Sequence, residues 1–160
     1  EATDDEGDTA LVYAATNGFL EIGELLVTAG AKRGRDQLMV AAARQGRIPL
    51  LRSLLAGGVG IDTRTAGGGT PLHAAASEGQ TAMAAFLLTA GAEVDAKDAD
   101  ERTPLMAAAA AGDVDTIKEL VRKGADPDAV DKDGRTAWNH AMRNGHRDLA
   151  KLLEPSASGR

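Results

Sequence analysis

The segment Thr70-Pro71-Leu72-His73-Ala74-Ala75-Ala76-Ser77-Glu78-Gly79 reads as one complete short helix. Thr70 can cap it with its hydroxyl, and Pro71 fits the first helical position, where no amide donor is needed. The alanines favour helix, and Gly79 ends it by accepting a left-handed backbone. A second helix follows, with Met83, Ala84, Phe86, Leu87 and Leu88 as its apolar stripe, and it stops at Gly91. Residues 92–100 are rich in turn formers, and Thr103-Pro104-Leu105 then restarts the pattern.

The same punctuation recurs along the chain. Gly18, Gly46, Gly79, Gly112 and Gly145 each close an Ala-rich segment, at separations of 28, 33, 33 and 33 residues. A further glycine lies twelve residues after each of the first four, at Gly30, Gly58, Gly91 and Gly124. Two interlocked periods of this kind predict an all-α solenoid of about five helix-turn-helix units. Helix pairs this short cannot bury an apolar face alone, so neighbours must stack. Ala14, Ala15, Ala42, Ala43, Ala74, Ala75, Ala107 and Ala108 are small enough for the first helices of adjacent units to approach closely.

On these residues the chain resembles the ankyrin-repeat family. Thr70 to Ala75 reproduces the Thr-Pro-Leu-His-x-Ala signature, and Thr103-Pro104-Leu105-Met106 departs from it only at the His. The copies at Thr9-Ala10-Leu11-Val12 and Thr136-Ala137-Trp138-Asn139 are weaker, and Gln37-Leu38-Met39-Val40 is the most divergent. The resemblance covers residues 4–154, divided into repeats at about 4–31, 32–64, 65–97, 98–130 and 131–154. It implies short β-hairpin fingers between repeats, the finger between repeats one and two being shortened by five residues. It also implies that the His73 imidazole bonds turn backbone. The polar last helix, 146–154, reads as a cap, and 155–160 as a disordered tail. The Ala-, Gly- and Arg-rich composition, with Met106 in place of one signature His, resembles bacterial members of the family. It assigns neither cytoplasm nor periplasm.

Composition narrows the chemistry. Acids exceed bases by 24 to 18 and the pI is about 5.0, which argues against a general nucleic-acid binder. The absence of Cys removes disulfides, thiolate nucleophiles and Cys-based metal sites. Charges, Gly or Pro interrupt every apolar run well short of the ~18 residues of a membrane span. No signal peptide is visible.

Local motifs add no catalytic constellation. Placing Gly134 at position six of a calcium loop puts Ala129 at one and His140 at twelve, where carboxylates are required, so Asp126 to Asp133 read as turn formers. Gly57 to Gly60 and Gly67 to Gly69 lack the Gly-Lys-Ser/Thr continuation of a phosphate loop. His140 and His146 do not stand at the i, i+4 spacing of helical metal ligands. Trp138 and Phe86 read as core, and Pro49 falls in the opening turn of a second helix. The expectation is no enzyme, no metal and no cofactor.

The resemblance implies instead a concave protein-binding surface made by fingers and first helices. On this chain it maps to Asn17, Arg44, Gln45, Ser77, Glu78, Ala111, Arg143 and Asn144 on the helices, and to Asp100, Arg102, Lys132 and Arg135 on the fingers. Arg33 and Arg35 join it on the shortened link, and Tyr13 is the one aromatic suited to a contact. Residues 31–64 carry seven bases against two acids, between acidic stretches at 1–30 and 65–100, so a basic band could steer an acidic protein segment. The expected function is a monomeric, non-catalytic module that inhibits, scaffolds or sequesters a protein partner, with no nucleic-acid or membrane partner. The alternative is a small-anion or small-molecule site, or a hydrolase, at the shortened finger.

Overall fold

A computed structural model of the chain describes residues 2–3 and 9–153, the side chain of Ala150 excepted. Among the described residues the regular structure is helical: α1 (Ala10–Thr16), α2 (Leu20–Thr28), α3 (Arg35–Arg44), α4 (Ile48–Ala56), α5 (Pro71–Ser77), α6 (Thr81–Thr89), α7 (Pro104–Ala111), α8 (Val114–Arg122), α9 (Ala137–Arg143) and α10 (Arg147–Ala150), followed by a 3-10 turn at Lys151–Leu153. The expected tail at 155–160 lies outside the described residues.

Most first helices, and α4 and α8, begin for a local reason. The hydroxyls of Thr9, Thr70 and Thr103 accept from the backbone N–H three residues on, as does the Asp113 carboxylate at α8. Pro71 and Pro104 occupy the first turns of α5 and α7, and Pro49 that of α4. The second helices share one termination. Gly30, Gly58, Gly91 and Gly124 have φ between 85° and 97°, and the next residue's N–H bonds back five residues, as in Ala92 to Leu87 and Ala125 to Leu120. Only Gly adopts this backbone without strain, which accounts for the second period in the sequence.

The helices pack as five antiparallel pairs in a row, with α1, α3, α5, α7 and α9 forming the inner layer. Ala14, Ala42, Ala75, Ala108 and Ala141 are all buried along this layer. Leu11, Met39, Leu72 and Leu105 form a second buried row one register away, and Trp138 continues it half-buried at the last pair. Phe86, expected in the core, is only partly buried, and the Arg52 guanidinium lies 4.5 Å from its ring centroid.

The projecting links are tight turns, each tip closed by two backbone bonds between its first residue and its fourth and fifth. Thr65–Gly69, Asp98–Arg102 and Asp131–Arg135 each close through the first residue's N–H donating to the fifth residue's carbonyl, at 3.0 Å in all three. No strand flanks them among the described residues; Thr3 and Thr9 make one isolated bridge. Neighbouring turns are tied by Ala99 N–H to Gly67 O and Lys132 N–H to Asp100 O, both 3.0 Å. The fourth residue of each turn is left-handed: Gly68, Gly134 and, against the usual preference, Glu101 at φ 59°.

The first link has no such projection. α3 starts directly after Gly34, whose φ of 96° and close approach to Val12 exclude a side chain. Leu38 stands where α5 and α7 have Pro, and its side chain fills the space opened by Gly23 on α2. A Cβ built on Gly23 would lie 2.5 Å from Leu38 Cδ1. The shortened link and the Gly23–Leu38 contact are thus one local repacking of the first two pairs.

Candidate functional site: the concave depression

The inner layer and the turns enclose an open depression of about 440 Å³. Val40, Ala74, Met106, Ala107 and Ala110 form its apolar floor, and Thr65, Gly69, Asp98 and Arg102 its turn-side wall. Arg44, Ser77 and Ala111 edge the helix side, and His140 closes the far end. The groove alanines Ala74, Ala107 and Ala110 stand beside, and are distinct from, the buried stacking alanines Ala75 and Ala108.

The wall is held by two histidines and two aspartates. His73 is buried, and its Nδ1 accepts from the Thr70 N–H at 3.2 Å while Nε2 donates to Arg102 O at 2.8 Å. The imidazole therefore caps α5 and ties it to the next turn. In α9 the same register holds Asn139, whose Oδ1 accepts from the Thr136 N–H at 2.9 Å. Asp98 accepts from the N–H groups of Asp100 and Arg102 and from Arg102 Nε. Asp131 accepts from the N–H groups of Asp133 and Arg135, and from His140 Nε2 at 2.9 Å. These aspartates are occupied by turn geometry. No group of His, Cys, Asp or Glu suited to a metal occurs among the described residues.

The depression brings together four of the residues named from the sequence: Arg44, Ser77, Arg102 and Ala111. Glu78 lies beside them in a shallow recess that shares Ser77 and Ala111. Asp100 and Arg102 form an ion pair at 3.3 Å on the rim, and Arg135 pairs with Asp133 at 2.7 Å on the next turn, beside exposed Lys132. The amides of Asn17 and Asn144 cap their own helices by donating to Tyr13 O and His140 O, and Gln45 donates to Gly18 O. Arg143 is exposed. Tyr13 is exposed and packs near Phe19, with ring centroids 6.5 Å apart. Arg33 and Arg35 stay outside the depression, Arg35 Nε donating to Ala31 O at 2.7 Å.

The basic band of the sequence is largely consumed inside the stack. Arg47 pairs with Glu21, Arg52 covers Phe86, and Arg64 donates to Gly68 O and Lys97 O, binding two turns together. Arg44 is the cation that lines the depression with no hydrogen bond or ion pair to another described residue. Sequence reading missed Val40, His140, Met106 and Ala107 as site residues. Val40 and Met106 share the helix register of His73, so aligning the repeats on that position would have found them.

Acid should loosen this wall. Burial pushes the His73 pKa below its ordinary value. Burial acts to raise the carboxyls of Asp98 and Asp131, but the N–H groups of Arg102 and Arg135 and the other donors outweigh it and hold both below the usual range. All three shifts are depressions, so their stabilisation is present above the unfolded-state pKa values and is lost as pH falls. The denaturation midpoint is expected to fall first below about pH 6.5, where unfolded His73 takes up its proton, and again below about pH 4, as the aspartates follow. Urea melts across this range test it; a midpoint that rises on acidification contradicts it.

Comparison with known proteins agrees with the geometry. The family model described as ankyrin repeats (3 copies) matches residues 30–98 and again residues 90–158. The chain belongs to the ankyrin-repeat family. It is 36% identical over 72 residues, 44% of its length, to the human ankyrin repeat and KH domain-containing protein 1, of which the match covers 3%. Ankyrin repeats are generally protein-protein interaction modules, typically non-catalytic. Among the described residues of this array, no helix is long and apolar enough to cross a membrane.

Proposed function

We propose that this ankyrin array is a non-catalytic protein-binding module that takes its partner into the concave depression between α3 and α9, and thereby inhibits, scaffolds or sequesters it. The observation that carries this reading is the pairing of an open apolar floor with the uncompensated Arg44 at its edge. Three of the five floor residues are alanines, so a bulky partner side chain can approach the backbone of α5 and α7. Affinity then comes from the partner's own anchors, with Arg44 meeting a carboxylate. Ser77, Glu78, Ala111, Asp100 and Arg102 form the surrounding rim, with Lys132, Arg135, Arg143, Asn144, Asn17, Gln45 and Tyr13 further along the same layer and turns.

Arg44→Glu is the discriminating substitution, because the exposed Arg44 supports no other part of the fold. A partner captured with the wild-type chain should bind the variant more weakly by about tenfold or more, roughly 1.4 kcal/mol, with the helical circular dichroism unchanged. Ala110→Arg, which fills the floor, should act in the same direction. Equal affinity of both variants for the captured partner would remove the depression as the site.

A further inference from the structure

Aligning the repeats on their closing glycines places Arg44, Ser77, Ala110 and Arg143 at one register of α3, α5, α7 and α9. The register one residue later holds Gln45, Glu78, Ala111 and Asn144. The charged side chains of this edge are Arg44 on α3, Glu78 at the end of α5 and Arg143 on α9. All three are exposed, and none makes a hydrogen bond or ion pair to another described residue. Glu78 shares its shallow recess with Asp113, which reinforces the negative point. The helix-side edge of the depression therefore reads positive, negative, neutral, positive. The turn-side wall has its charges engaged, since Asp98 and Asp100 hold Arg102 and Asp133 holds Arg135. Lys132, exposed on the Asp131–Arg135 turn, adds positive charge at the α9 end.

Packed helices lie about 8–10 Å apart, which puts Glu78 about 8–10 Å along the stack from Arg44, and Arg143 about 24–30 Å along it. The apolar floor of Val40, Ala74, Met106 and Ala107 runs beside this row. A ligand lying along the stack must therefore turn one face to the floor and present charges on the adjoining side. An extended strand points successive side chains to opposite faces and cannot address two adjoining surfaces. An α-helix can, because its side chains are distributed around the axis. At about 1.5 Å per residue the three charged points correspond to about residues i, i+7 and i+18 of such a helix. Those offsets are about two and five whole turns, so all three fall on one side of it.

Resting on the reading of the depression as the partner site, we propose that its occupant is an amphipathic helix of about twenty residues, with a carboxylate near each end and a Lys or Arg between them. Its apolar face meets the floor. One carboxylate meets Arg44, the base meets Glu78, and the other carboxylate meets Arg143 and Lys132. The base lies off-centre, so a given helix matches the edge in only one direction. A helix with basic ends meets like charge at both Arg44 and Arg143 and is rejected.

A phage-displayed library of random peptides about twenty residues long, selected on the whole chain, tests the proposal. Enriched sequences should carry large apolar residues at helical spacing, acids about 18 residues apart and a base between them. A synthetic peptide of the enriched sequence should gain helical circular dichroism on binding. Arg44→Glu, Glu78→Lys and Arg143→Glu should each weaken its binding by about tenfold. These side chains are exposed and hold no other part of the fold, so each variant should keep the wild-type melting midpoint. A peptide that is lost with Ala110→Arg but indifferent to the three charge changes overturns the charged helix and leaves the depression as the site. A peptide indifferent to Ala110→Arg as well overturns both. Enrichment of sequences with basic ends or with no helical pattern, or of no sequence at all, also overturns the proposal.

Discussion

Leu38→Ala is expected to destabilise the fold by about 2–5 kcal/mol, the range for truncating a fully buried leucine. Leu38 fills the notch at Gly23 and joins α3 to the first pair where the link is shortest. The void it leaves cannot collapse easily, because Gly34 already holds the α3 start tightly against Val12. The sharper test is a double-mutant cycle with Gly23. In the wild-type background Gly23→Ala gains about 1 kcal/mol of helix propensity but drives a methyl into Leu38, and the clash should make it destabilising. With Leu38→Ala already present, the same change should be stabilising, giving a coupling of about 1 kcal/mol or more. Urea denaturation of the four proteins measures it. Additive effects would mean that the two side chains do not compete for one space.

His73→Ala should cost about 3 kcal/mol, from an unmet Thr70 N–H, the loss of one of the two donors to Arg102 O and the lost packing of a buried ring. The local consequence is as informative as the magnitude. His73 connects α5 to the turn that starts the next pair, so its loss should raise amide exchange at residues 98–102 more than at 131–135. His73→Asn should recover the cap, because Asn139 performs that bond at Thr136, but it cannot reach Arg102. Partial rescue of stability without rescue of exchange at 98–102 is the expected pattern. Uniform loss across the array would show that the ring acts by packing alone.

The helix pairs were legible because their signals are local. A Thr hydroxyl reaches an N–H three residues away, Pro fits one helical position and Gly one left-handed one, and these bonds appear where the residue types stand. The turns were only half legible. Asp98 and Asp131 act as turn formers, but no strand stands beside them among the described residues: each turn closes through two backbone bonds at its tip, and single bonds tie Ala99 to Gly67 and Lys132 to Asp100. Glu101 had no visible signal at all: its left-handed backbone sits where the equivalent turns have Gly, and its only described ion pair is to Lys97.

Of the site, the alanine-rich character of the first helices could be read, because close helix packing demands small residues there, but not which of those alanines face the groove. The cations could not. Arg44, Arg47, Arg52 and Arg64 look alike along the chain, yet three are engaged by Glu21, by the Phe86 ring and by the carbonyls of Gly68 and Lys97. Sequence by itself determined the period, the caps and the alanine seam, which depend on chemistry within a few residues. Tertiary structure alone decided which charge remains free in the groove, because the groups that engage the other cations are brought in by stacking from roughly one repeat away, and no local pattern records them.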